Sequence, residues 1–157
     1  MAEGAVEARN YRTWQFVEPL LADGHQVCLV VSHRTNQVVL AHPWSPGLSY
    51  HRLNLREWGW TDRVRRLLDD FGPDGVLAVT FNSCLRATRV AMGRPVWMDI
   101  YGDKLAEVQV GEYTQNNSRG HRTQLQHLRT VLGGGDVYST CSTAQKHALV
   151  GQLGMKS

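Results

Sequence analysis

Three short apolar runs, Val27-Cys-Leu-Val-Val31, Gly75-Val-Leu-Ala-Val-Thr80 and Pro95-Val-Trp-Met-Asp99, are separated by stretches with helical spacing. Runs of this kind suit strands buried on both faces, and strands alternating with helices specify a parallel α/β sheet. The third run carries the sharpest clue. It ends on an acid, Asp99, and Gly102-Asp103 then turns the chain into a helix. Ligands of open parallel sheets bind at the carboxyl ends of strands, so Pro95–Asp103 is expected to be a ligand-facing edge.

The intervening stretches are expected to be helical. Trp14, Val17, Leu20 and Leu21 share a face over residues 10–23, where Pro19 should kink or break the run. Val64, Leu67, Leu68 and Phe71 follow helical spacing after Thr61, a candidate cap, and Gly72-Pro73 stops them. Further helices are expected from Asn82 to about Met92, from Asp103 to near Gly111, and around Leu125, Leu128 and Leu132. Asp136–Ser142 then leads into a last helix to about Leu153, with Ser142 and Gln145 as a capping-box pair. Val38–Ala41 is a further candidate strand. Residues 42–60 read as loop with a short strand near Tyr50–Leu55, residues 111–121 as loose, and residues 1–8 as flexible.

At 157 residues the chain is read as a single domain, 1–157. It has no run of eighteen apolar residues, and its opening, Met-Ala-Glu-Gly-Ala-Val-Glu, has neither the basic nor the apolar part of a secretory signal. Cys28, Cys84 and Cys141 are odd in number and scattered, which fits a reducing cytoplasm. The charge is mildly positive, with arginines clustered at Arg63, Arg65 and Arg66 and at Arg86, Arg89 and Arg94. Solvated helix faces explain them; phosphate or an acidic lipid surface, as peripheral membrane contact, is the sharper reading. No aromatic-interleaved basic stripe points to nucleic acid.

Asp99 is the candidate catalytic residue and can orient a hydroxyl or bind a ligand, or it simply pairs with an arginine or bonds a loop amide. Asp103 reads as a helix N-cap and Glu107 as a solvated helix residue. Asn82 can donate to a sugar or phosphate, or close a turn. Ser142 caps its helix, and an anion can bind at the same N-terminus. His33, His42 and His51 are evenly spaced but fall in expected loops without a ligand pattern, so no metal is expected. His25 reads as a turn residue. Cys141 has no identifiable base, Gly133-Gly-Gly135 is a linker lacking the phosphate-loop ending, and Trp44, Trp58 and Trp60 read as packing rather than as an apolar docking surface.

The order of these units resembles the N-terminal, acceptor-side domain of GT-B-fold glycosyltransferases of the bacterial glycosyltransferase-4-like type. The resemblance is carried by Trp14 to Val27, Gly72-Pro-Asp-Gly-Val76 with Thr80-Phe-Asn82, Pro95–Asp103 leading into Gln109, and Tyr138–Ser142 with Val150–Gly154. It implies a Rossmann-like parallel sheet flanked by helices, substrate contacts at Asn82, Asp99, Asp103 and Ser142, and no cofactor. Family members open with an apolar strand and a glycine-rich loop, whereas only Met1–Ala8 precede the first helix here. The sheet is therefore expected to be incomplete at its N-terminus and the chain to be a fragment. Nucleotide-sugar and acceptor are then engaged only with a complementary C-terminal domain, and an exposed sheet edge favours a homodimer. Two alternatives stay open: a stand-alone α/β binding module, and a decayed or mis-started gene product.

Overall fold

The structure, a computed structural model, describes residues 8–33, 45–54, 61–115 and 119–154. It is α/β, and the chain divides into two compact units, Met1–Phe71 and Gly72–Ser157.

The first unit begins with α1, Ala8–Ala22, which runs through Pro19. Proline removes one donor, but Pro19 and Gln15, whose carbonyl it leaves unbonded within the helix, are both exposed, so the break expected there does not occur. The helix ends in a Schellman motif: His25 N donates to Leu20 O at 3.0 Å and Gly24 N to Leu21 O at 3.0 Å. Gly24 takes the left-handed φ of 84° that this ending requires. The strand β1, Val27–His33, pairs in parallel with β2, Leu48–Asn54, in the register Val27↔Leu48 to His33↔Asn54. The helix α2, Thr61–Phe71, closes the unit, with Thr61 as its first residue rather than the cap before it.

The second unit is a three-stranded parallel sheet, β3 (Val76–Val79), β4 (Val96–Asp99) and β5 (Val137–Ser139), in that spatial order. Parallel neighbours need crossover connections. The helix α3, Phe81–Val90, links β3 to β4, and α4, Lys104–Gln115, with α5, Arg119–Gly134, links β4 to β5. After β5 follows α6, Thr143–Gly154. Phe81, Cys84, Ala87 and Val90 recur every third residue of α3 and all are buried. Phe81, Cys84 and Ala87 share the core with Met98 of β4 and with Leu128, Val131 and Leu132 of α5.

β4 therefore lies in the middle of its sheet and is tied to β5 at both ends. At the start, Val96 N donates to Asp136 Oδ2 at 2.7 Å and Asp136 N to Val96 O at 2.8 Å. At the finish, Ile100 N donates to Ser139 O at 2.9 Å. Residues of β4 alternate between faces, so Val96 and Met98 enter the core while Trp97 and Asp99 share the opposite side.

Three expectations change. Residues 111–121 are helical at both ends, because α4 reaches Gln115 and α5 starts at Arg119; a polar sequence is no bar to a helix whose neighbour supplies packing. Ala8 is already helical. His51 sits inside β2 and His33 ends β1, so neither is in a loop. The strand placed at Val38–Ala41, His42, and Trp44, Trp58 and Trp60 lie outside the described residues.

Candidate functional site

Because β3, β4 and β5 are parallel, the turns after them come out at one edge of the sheet. Thr80 to Asn82 follow β3, Ile100 to Asp103 follow β4 and Thr140 to Ser142 follow β5, so Asn82, Asp103 and Ser142 join Asp99, the last residue of β4, at that edge.

Asp99, the last residue of β4, is fully buried. Burying a carboxylate is costly unless hydrogen bonds replace water. Ser139 supplies one: its hydroxyl donates to Asp99 Oδ1 at 2.7 Å across the register pair Asp99↔Ser139. The indole N–H of Trp97 donates in turn to Ser139 Oγ at 2.9 Å. An indole nitrogen only donates, and a serine hydroxyl has a single proton, so the chain runs from Trp97 through Ser139 to the carboxylate. Sequence reasoning missed Ser139, since pairing with Asp99 becomes visible only once the strand register is known.

The Asp99 carbonyl joins the third strand, accepting from Thr80 N at 3.1 Å. Cys84, enclosed beneath, donates its thiol toward Ala78 O at 3.4 Å and Asp99 O at 3.8 Å. Burial, and then the Asp99 charge, push the Cys84 thiol up to about 12, so it stays protonated and is no nucleophile. Thr80 itself takes φ 80° and ψ 151°. That conformation is strained for a β-branched residue, and strain of this kind concentrates at functional turns. Nothing in the sequence announced it.

Gly102 has φ 88°, and a Cβ there would lie 2.7 Å from Glu107 Oε1. Glu107 leans over the glycine and pairs with Lys104, Nζ to Oε2 3.0 Å, an exposed contact of small energetic weight. Asp103 caps α4 as expected: its Oδ1 accepts from Leu105 N at 3.0 Å and Ala106 N at 3.2 Å. Ser142 caps α6, with Oγ accepting from Gln145 N at 3.2 Å. The reciprocal bond is displaced by one residue, since Gln145 Oε1 takes the amide of Cys141 at 3.2 Å and its thiol at 2.8 Å.

A small cleft opens beside these turns. Asp103, Lys104, Thr140, Gln145 and Gln152 give it a polar rim, and Ile100, Leu128 and Leu149 an apolar floor. Asp103 thus meets the cleft, while Asp99 lies buried within the hydrogen-bond chain. Asn82 is exposed in the first turn of α3, and neither it nor Ser142 lines the cleft. Among the described residues, no three His, Cys, Asp or Glu side chains converge on a metal position, and no helix is long and apolar enough to cross a membrane.

The family model described as glycosyl transferase 4-like domain matches residues 10–157. No curated protein matches the chain.

Proposed function

Because the chain belongs to the glycosyl transferase 4-like domain family, we propose that it forms the acceptor side of a GT-B transferase moving a sugar from a nucleotide-activated donor. The family match over residues 10–157 carries this reading, and the gathering of Asn82, Asp99, Asp103 and Ser142 at the strand-end edge supports it. Asp103 gives Oδ1 to the helix cap, and its second oxygen is the proposed partner of an acceptor hydroxyl. Asp99 acts from below by fixing the turn rather than by touching substrate. Asn82 and Ser142 contact sugar or phosphate groups from neighbouring turns.

Catalysis in such a system rests on positioning and on stabilising the departing diphosphate. The diphosphate-binding groups are proposed to come from a complementary C-terminal domain, so these 157 residues give no turnover alone. Three free cysteines suit a reducing cytoplasmic setting.

A direct test titrates the protein with a panel of mono- and oligosaccharides by calorimetry, then adds uridine- and guanosine-diphosphate sugars and measures product. Saccharide binding without turnover is expected. Asp103→Asn should weaken it by about tenfold, since asparagine keeps the cap but removes the charge-assisted bond. Turnover by the chain alone would overturn the need for a second domain. Failure of every saccharide to bind would overturn the acceptor role and leave a binding module for another ligand, a reading that the burial of Asp99 favours.

A further inference from the structure

Ser139 on the next strand bonds the Asp99 carboxylate, Trp97 on the same strand as Asp99 bonds Ser139, and neither belongs to the family resemblance as a site residue. We propose that Ser139 and Trp97 are the positioning residues of the strand-end edge: they orient Asp99 and, through it, lock the three turns in one arrangement. The inference rests on that edge being the ligand side.

Asp99 is bonded to both neighbouring strand ends. Its carbonyl takes the Thr80 amide from the β3 side, and its carboxylate takes the Ser139 hydroxyl from the β5 side. Rotation of the carboxylate would release Ser139, and with it the alignment of Ile100 N on Ser139 O. The turn Ile100–Asp103 hangs from that bond and carries the cap of α4 and part of the cleft.

Trp97 adds a constraint that Asp99 cannot supply. A serine hydroxyl rotates freely unless its acceptor side is occupied, and the Trp97 N–H occupies it at 2.9 Å. Its proton is thereby turned toward Asp99. Trp97 is 39% exposed and lies outside the buried core cluster, so its polar end is what the site uses. The packing that holds the sheet together lies on the other face, with Met98, Val131 and Cys84. Breaking the chain should therefore loosen the turns while the fold persists.

The test needs no ligand, so its outcome is separate from that of the acceptor reading. Amide hydrogen exchange by NMR is compared in the wild-type protein, Ser139→Ala, Ser139→Thr and Trp97→Phe. In Ser139→Ala, exchange at Thr80, Ile100 and Leu105 should rise by about tenfold, the opening expected from losing one net hydrogen bond. Core amides of α5 should hold. Ser139→Thr, which keeps the hydroxyl, should restore protection, and Trp97→Phe should give a smaller rise at the same amides. Two results would overturn the proposal: exchange confined to residue 139 and its immediate neighbours, or a rise spread evenly over the core, which marks plain loss of stability. Failure of the threonine variant to rescue would overturn it as well.

Discussion

The Tyr138 hydroxyl donates to the Leu132 carbonyl at 2.9 Å, with Val131 O a second acceptor at 3.2 Å, and receives the Gly135 amide at 3.0 Å. A side chain from β5 thus satisfies the last carbonyls of α5, which a helix cannot satisfy by itself. Tyr138→Phe keeps the ring and deletes this cap. It should cost about 1–2 kcal/mol in urea denaturation, with the slope of the transition unchanged.

Two glycines should respond in opposite directions to the same methyl group. At Gly134 an added Cβ would meet Thr88 Cγ2 at 2.5 Å, so Gly134→Ala should lose about 1–3 kcal/mol. Gly111 lies inside α4 with nothing within 4 Å, and Gly111→Ala should gain about 0.5–1 kcal/mol from helix propensity. Thermal melts of the pair read the contrast directly.

Thr80→Gly should stabilise the protein by about 1 kcal/mol, because glycine holds φ 80° without the penalty that a β-branched residue pays. If the strained turn serves the ligand edge, the same variant should lose saccharide affinity. Parallel denaturation and calorimetry separate the two effects.

Alkaline pH should destabilise the protein through Cys84. Its thiol is raised by burial and by Asp99 from 9.0 to about 12, so folding favours the protonated form. The contribution is fully present below pH 9 and is lost as pH rises from there toward 12. Burial raises Tyr138 as well, in the same direction and above pH 10. Denaturation midpoints from pH 7 to 11 should fall above pH 9, and Cys84→Ala should flatten the first part of the fall.

The sequence made the strand and helix order of the second unit legible because each element there keeps one period. Val76–Val79 and Val96–Asp99 are short apolar runs, and Leu128 and Leu132 mark α5 plainly. The caps were legible too, since Asp103 and Ser142 act on backbone only two or three residues away. Asp99 was singled out as a strand-end acid, but its burial depends on Ser139, forty residues distant, and no local pattern encodes that. Pro19 misled for a related reason. Its cost depends on whether the orphaned carbonyl faces water, which a linear pattern does not record. Gly133-Gly-Gly135 reads as a linker, yet α5 runs to Gly134, and Gly134 and Gly135 do more than link. A side chain at either would collide with Thr88 or Tyr138.

The paired ties at the two ends of β4, Val96 with Asp136 and Asp99 with Ser139, each span forty residues of chain. Most of that intervening chain lies in α4 and α5, which pack against each other. Helices form within microseconds, whereas bringing distant strands together must first meet the entropy of closing the loop. Early pairing of α4 with α5 shortens that loop, and should therefore speed the assembly of this sheet.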